Sequence, residues 1–546
     1  MDTQSSGDSG DIANIVIKRQ KFHNRVTRST TPTIINQYQY TFPGAEGIND
    51  SLWGDMWHVH EDTHPSMGIY EAWTMGYSGA GIHVNIVDDG IEADHPDLVG
   101  NLNVSGGYHL NDGSAFHGTL CAGLVSAVMN DLCIVGTAYN STVSDVTVLG
   151  WPPVTDYGES LGLTHNLEHT DIYSNSWGPS DEGYFMEGPE ELTKDAIEYG
   201  AQQGRNGLGA IYVWAAGNGG FADDDCNADG YINNIHTIAV TSIGPDRQAA
   251  WYSEKCSSLM VATYSGDSPD ISNSSFPTIP TTAIGHLCST TFQGTSASAP
   301  IAAGVIAMTL EANPLLTWRD IQHLLVRTSI REGLDVSDWT INGAVSHEVG
   351  FGLINAVELI TSSMNWVTVP QQVKCEHEFV NVSASEGTDI TYYMSEYISD
   401  GCNDTIRYIE HVEVTLSLDP TRRGRIEITL TSPSSTESTL LHRRQYDYGS
   451  RAIDFTFMTV LSWGESPNGS WLLEINSTSD KLSSSFSTTT TVETQKHTEE
   501  DDTKWIITGV VLGGSVAMAM SVGVIVYFFK VKPNANIIRV RPIENE

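Results

Sequence analysis

The chain has 546 residues, with 27 Lys plus Arg against 67 Asp plus Glu, a formal net charge of −40. A surface that acidic repels phosphate backbones, which argues against nucleic-acid binding and favours cationic partners such as basic peptides or calcium. Hydrophobic residues at 40% exclude a disordered chain, and seven cysteines are too few for a disulfide-stapled miniprotein but allow three bridges and one free thiol.

Residues 1–45 are polar and irregular, with a basic pair at Lys18-Arg19 and a spaced pair in Arg25-Val-Thr-Arg28. The first 20 residues hold no apolar run suited to a signal peptide. The rest of the chain reads as extracellular, so the expectation is a sequence lacking its 5′ end, with insertion through a later apolar segment as the alternative. From about 50 to 363, short apolar runs alternate with helical patterns. Segments 82–89, 211–218 and 235–244 read as buried strands; 117–129, 191–204 and 296–312 carry helical spacing. That alternation predicts an α/β fold, a parallel sheet with helices on both faces and its site at the carboxyl ends of the strands. Residues 366–476 change texture, with alternating stretches at 412–419 and 425–432 separated by turn signals. A β-sandwich or jelly roll is expected there. Residues 477–498 are mostly Ser and Thr and read as a flexible stalk open to O-glycosylation. Trp505–Phe529 is 25 residues without a charge, long enough to span a bilayer as a helix. Lys530, Lys532, Arg539 and Arg541 follow it, while Glu499, Glu500, Asp501 and Asp502 precede it. The positive-inside rule then places 530–546 in the cytosol and everything before Trp505 outside. Eight Asn-x-Ser/Thr sequons (Asn49, Asn103, Asn140, Asn273, Asn381, Asn403, Asn468 and Asn476) agree with that side.

Three motifs stand in order: Asp88-Asp89-Gly90 closing a strand, His117-Gly118-Thr119 opening a helix, and Gly294-Thr295-Ser296-Ala297-Ser298-Ala299-Pro300 opening another. A serine hydroxyl needs a base to take its proton, and a buried carboxylate fixes the tautomer of a histidine base. A helix N-terminus favours charge developing at Ser296, and Pro300 is expected to be tolerated there as part of the first turn. The order Asp, His, Ser is that of the subtilisins. Asn218, in Ala216-Gly217-Asn218-Gly219-Gly220 after a buried strand, has the side-chain amide to donate to an oxyanion.

With these motifs, residues from about 50 to 476 resemble the proprotein convertases, the kexin/furin branch of the subtilisin superfamily. The resemblance runs through Asp88–Asp97, Ser174–Pro179, Trp251–Glu254, Leu310–Asn313 and Thr317–Asp320. It continues through Ser462-Trp-Gly-Glu and Gly469–Glu474, in the part similar to the family's P domain. It implies a serine endoprotease cutting secretory precursors after paired or spaced basic residues. By resemblance, Asp181 and Asp229 line the pocket for the residue before the cut, and Asp89 faces the next residue back. Glu187 faces the fourth, where Asp156 or Glu159 joins it in an ambiguous local alignment. Calcium is the implied cofactor, with Asp50, Asp97 and Asn130 at one site and Asp181, Asp224 and Glu254 at a second. The implied disulfides are Cys133–Cys288, Cys226–Cys256 and Cys375–Cys402, leaving Cys121 as the free thiol. Arg28 resembles the enzyme's own cleavage site, making residues 1–28 the tail of an inhibitory prodomain. The implied organisation continues with a catalytic domain at 29–363, a P domain at 364–478, a stalk at 479–504, a membrane span at 505–529 and a cytosolic tail at 530–546. Such a protein belongs to secretory-pathway membranes, Golgi or cell surface, with its catalytic domain lumenal or extracellular. Two departures matter. The loop before His117 is short, so Ser114 stands where a second acid would help hold the penultimate basic residue, and a third calcium site is in doubt. The family's Arg-Gly-Asp reads Arg423-Gly424-Arg425. A subtilase without basic specificity and an inactive membrane-anchored interaction module are the competing readings.

Overall fold

The computed structural model describes residues 47–495 apart from 61–62, 270–276, 341–343, 379–380, 385–388, 399–405, 419, 421 and 479–486. Its first part runs α1 (Ile69–Thr74), β1 (His83–Asp88), β2 (Tyr108–His109), α2 (Phe116–Ser126), β3 (Thr142–Thr147), α3 (Asp156–Gly162), β4 (Ile172–Asn175), α4 (Glu191–Gly207), β5 (Ile211–Ala215), β6 (Thr237–Ile243), β7 (Val261–Tyr264), β8 (Ile279–Ala283), β9 (Leu287–Phe292), α5 (Thr295–Ala312), α6 (Trp318–Thr328) and α7 (Ala356–Ser363). Seven strands form one parallel sheet in the order β2-β3-β1-β4-β5-β6-β7. Strand β6, Thr-Ile-Ala-Val-Thr-Ser-Ile, is buried at every residue, as a strand covered on both faces must be. Helix α5 is rich in Ala, carries Ile301, Val305 and Ile306, and is buried nearly throughout, so it runs through the core rather than over it. Helix α6 is amphipathic and starts on a capping box in which Thr317 and Asp320 satisfy each other's backbone N–H.

The topology sets the site. The chain lays β2 and β3 on one side of β1, then crosses to lay β4 to β7 on the other. In such sheets a crevice opens at the carboxyl ends where the winding reverses. Asp88 ends β1, Ser176 and Trp177 follow β4, and Asn218 follows β5. The β8–β9 hairpin packs on α2, with Thr281 and Thr282 hydroxyls donating to the Leu120 and Thr119 carbonyls at 2.7 and 2.6 Å. Cys133–Cys288 ties this hairpin to the loop after α2, and Cys226–Cys256 is also formed. Cys121 is free and buried; Cys375 is disulfide-bonded, and Cys402 lies outside the described residues.

The second part runs β10 (Gln372–Glu378), β11 (Asn381–Ala384), β12 (Asp389–Ile398), β13 (Ile409–Leu418), β14 (Ile426–Thr431), β15 (Glu437–Leu441), β16 (Ile453–Thr459), β17 (Gly469–Thr478) and β18 (Ser487–Gln495). The strands build two antiparallel sheets, β10-β18-β13-β16 and β11-β12-β17-β14-β15. In β17 every second residue is buried, turning Trp471, Leu473 and Ile475 onto a core shared with Val412, Val414 and Leu416. This is a β-sandwich. Strand β18 corrects the sequence reading: residues 487–495 were expected in a stalk, yet they pair with both β10 and β13. The Thr run and Val492 are β-branched and suit a pleated strand, a property that counting Ser and Thr as linker residues overlooks. Among the described residues no helix is long and apolar enough to cross a membrane; Trp505–Phe529 and Arg28 lie outside them.

Candidate active site

Asp88 is buried at the end of β1, and both its oxygens meet Nδ1 of His117, at 2.9 and 3.0 Å. The first turn of α2 carries His117, which leaves Nε2 as the nitrogen turned from the carboxylate. Burial resists charging the ring, but the Cys121 sulfur and the Asp88 carboxylate more than reverse that and raise its pKa. Cys121 is itself buried, which pushes its thiol up and keeps it neutral near pH 7, so the lasting counter-charge is Asp88.

Ser296 sits half-buried in the first turn of α5. The residue before it, Thr295, donates its backbone N–H and its hydroxyl to Oδ1 of Asn218, at 2.8 and 3.1 Å. That pins the amide oxygen and turns the NH2 of Asn218 away from Thr295. Gly294 makes this approach possible: its φ is +106°, and a Cβ there would stand 3.1 Å from Asn218 Oδ1. Pro300 is not in the first turn, contrary to the sequence reading. It lies four residues after Ser296 and so removes the N–H that would close the helix onto the Ser296 carbonyl. That carbonyl instead accepts from Ser176 Oγ at 3.1 Å and from Cys121 Sγ at 3.6 Å. Cys121 also lies 3.9 Å from His117 Nδ1, so it touches both segments.

Beside this arrangement is a cavity of ≈ 20 Å³ lined by Asp181, Asp224, Asp225, Asp229 and Glu254, with Ala216 and Gly217 along one wall. Burial raises the pKa of Asp181, Asp224, Asp229 and Glu254. The neighbouring carboxylates push Glu254 further the same way. Gly217, at φ +99°, lets the backbone pass where a Cβ would lie 2.3 Å from Glu254. Asp89 accepts from Gly118 N at 2.8 Å, from His117 N at 3.2 Å and from the Ser114 hydroxyl, so it also holds the start of α2. Glu187 is exposed, and its backbone pairs with that of Asp229. Asp156 is spent on the N-terminus of α4, accepting from Leu192 and Thr193 at 3.0 and 2.8 Å. Glu159 accepts from the Tyr231 hydroxyl at 2.5 Å.

Asp50 and Asp97 form a separate pair. Each is buried, and each leaves one oxygen without a hydrogen bond, Asp50 Oδ2 and Asp97 Oδ1. Burial lifts their pKa values to about 7 and about 6. Asn130 closes the group, donating its N–H to Asp50 at 3.1 Å. Orphaned carboxylate oxygens beside an amide suit a hard divalent cation. Asp181, Asp224 and Glu254 suit one too, as three acids facing one cavity. Among the described residues only Asp88–His117–Cys121 and Glu92–Asp94–His286 bring three such ligand atoms within 4.8 Å of one another, so the acidic trio would have to draw in around an ion.

Residues 79–352 match the model of the subtilase family. The chain belongs to that family. Residues 409–490 of this subtilase match the proprotein convertase P-domain, which coincides with most of the sandwich. The subtilase is 42% identical to furin of Homo sapiens over 448 residues, 79% of this chain and 56% of that protein. It is 41% identical to proprotein convertase subtilisin/kexin type 5 of Rattus norvegicus over 462 residues, 80% of this chain and 25% of that one. The chain therefore spans about half of the one relative and a quarter of the other. A serine protease of Aeromonas sobria shares the fold, with TM-score 0.69 at 20% identity, covering 82% of this subtilase and 96% of that chain.

Sequence reasoning missed the P-domain side chains that reach Asp223, Asp224 and Asp225, the last two of which line the acidic cavity of the subtilase. Gln445 binds Asp223; Arg444 reaches Asp224 at 3.3 Å; His442 binds Asp225 at 2.9 Å. Three consecutive aspartates are each held from the sandwich. Nothing local in the run His442-Arg443-Arg444-Gln445 signals this, because the partners lie more than 200 residues away.

Proposed function

We propose that this subtilase is a calcium-dependent serine endoprotease that cuts secretory precursors after paired or spaced basic residues. The observation that carries the reading is a cavity lined by five carboxylates next to the Asn218–Thr295 clasp, together with the Asp88–His117 pair. Ser296 Oγ attacks the scissile carbonyl, and its proton passes to His117 Nε2 and then to the leaving amine. Water, activated by the same imidazole, releases the acyl group. Asp88 holds the ring and stabilises its cationic form. Asn218 donates its amide to the oxyanion. Asp181 and Asp229 attract the Arg or Lys before the cut, Asp89 the next residue back, and Glu187 the fourth. Carboxylates facing a guanidinium give charge-assisted hydrogen bonds, roughly twice as strong as neutral ones. Calcium, held by Asp50, Asp97 and Asn130 and by Asp181, Asp224 and Glu254, would neutralise these acids and hold the loops that carry them.

The same proposal places Trp505–Phe529 across a secretory-pathway membrane with residues 530–546 cytosolic, and reads residues 1–28 as a prodomain remnant released after Arg28. Asn49 and Asn468, the exposed described sequons, would then face the lumen. Cleavage of a peptide library tests the reading: cuts after Arg or Lys, lost when that residue becomes citrulline or norleucine, support it. Cuts that ignore this residue overturn the basic specificity. Truncation before Trp505 should release active protein into the soluble fraction; if it still pellets after a carbonate wash, the anchor is elsewhere.

A further inference from the structure

We propose that Trp151 is a specificity-determining residue that holds the penultimate basic side chain of the substrate by stacking, in place of the acid that Ser114 does not supply. This rests on the basic-site reading above. Trp151 is 75% exposed, an apolar side chain that the fold leaves unpacked. Its place is fixed all the same. Its N–H and C=O pair with Asp112 at 3.5 and 3.2 Å, joining the loop after β3 to the loop before α2. Glycines let these loops touch: a Cβ on Gly150 would lie 2.7 Å from the Asp112 carbonyl, and one on Gly113 would lie 1.9 Å from the Asp89 carbonyl. Two residues before Trp151, Leu149 donates its N–H to the Asp88 carbonyl at 3.1 Å. The indole thus stands on a rim whose backbone is bonded to Asp88 on one side and packed onto Asp89 on the other.

The acid at this rim is already committed. Asp89 takes two backbone N–H groups of α2 and the Ser114 hydroxyl, which leaves about one of its four acceptor sites for the substrate cation it attracts. A cation over an indole face is attracted by the ring quadrupole, and a planar guanidinium stacks better than an ammonium. An exposed Trp on a loop whose backbone is tied to Asp88 and to the segment packed on Asp89 is placed to recognise Arg before Lys, and either before a neutral isostere.

The test uses the whole enzyme and matched peptides with Arg before the cut and Arg, Lys or citrulline as the penultimate residue. In the wild type kcat/KM should follow the order Arg, Lys, citrulline. Trp151→Leu keeps apolar bulk without a π face and should reduce the Arg-to-citrulline ratio by about two- to fivefold, mainly through KM. Trp151→Tyr should keep most of the ratio, and Ser114→Asp added to Trp151→Leu should restore it. An unchanged ratio in Trp151→Leu overturns the proposal, as does an equal loss in Trp151→Tyr. The basic-site reading fails separately, if wild-type rates ignore citrulline in the position before the cut. Because Trp151 is exposed, a folding defect is not expected, and an unchanged melting temperature checks this.

Discussion

Pro300 and the Ser296 carbonyl show how one residue reorganises a site. Removing an N–H from the second turn of α5 leaves a buried carbonyl that must find donors, and Ser176 and Cys121 supply them from two other elements. Ser296 is thereby fastened to the segment after β4 and to α2 as well as to its own helix. Ser296→Ala keeps that carbonyl and removes only Oγ. It should lower turnover by roughly 100,000-fold or more while leaving the melting temperature unchanged; a purified variant with substantial hydrolysis would disprove the assignment. His117 must be neutral to take the proton. Against burial, the Cys121 sulfur and the Asp88 carboxylate favour its cationic form, so on the proposed mechanism activity should fall as pH is lowered. Asp88→Asn removes the counter-charge, so the acid limb of the profile should move to lower pH as the rate falls. At this scale the sequence was readable where residues sit in compact motifs, as Asp88, His117 and Ser296 do. It was silent on Cys121 and Ser176 as carbonyl partners, because a hydrogen bond across three elements leaves no local pattern.

Elements carry their information in periodicity, and that explains which were legible. Strands β1, β5 and β6 and helices α2, α4 and α5 lie where apolar runs and helical spacing put them. Strand β18 was missed because its Thr-rich run has no apolar alternation to mark it. The contact between α6 and β13 was equally hidden: Arg319 and His323 from α6 grip Glu410 of β13, all three buried. Burial alone would raise the Glu410 carboxyl, but His323 and Arg319 overcome that and lower it from 4.5 to about 2. The group therefore stabilises the fold by about 3 kcal/mol above the unfolded carboxylate's pKa, and this is lost as pH falls from about 4.5 toward 2. Glu410→Gln leaves Arg319 buried without its counter-ion and should cost about 3–5 kcal/mol in urea unfolding. The difference from wild type should hold between about pH 5 and 8 and shrink below about pH 4. If Glu410→Gln unfolds like the wild type at neutral pH, the ion pair contributes nothing to joining the two parts.

At the scale of the whole molecule, the net charge of −40 is not spread evenly over a solvated surface. Part of it is gathered into buried and half-buried groups: Asp181, Asp224, Asp229 and Glu254 around one cavity, and Asp50 with Asp97 at another place. Composition alone could suggest cationic partners but not where they bind, since these acids are scattered through 205 residues of sequence, from 50 to 254. Two carboxylates roughly 6 Å apart repel by about 3 kcal/mol at an effective dielectric near 20. Arg444, from the sandwich, relieves only Asp224. Without a further cation the cavity is a source of instability; on the proposed reading calcium would turn it into a fixed wall. This gives Glu254→Gln opposite effects in two conditions. The substitution removes one buried charge but keeps the size of the side chain and spares Asp88, His117 and Ser296. In excess chelator the variant should melt at a higher temperature than the wild type, because the cost of burying that acid among other carboxylates is removed. In saturating calcium it should melt lower, because a ligand has been lost, and the calcium needed for half-maximal activity should rise while the maximal rate changes little. Wild-type activity should vanish in chelator and return with calcium. The paired melting curves decide the matter independently of activity: if the order of the two proteins is the same with and without calcium, Glu254 does not hold the ion.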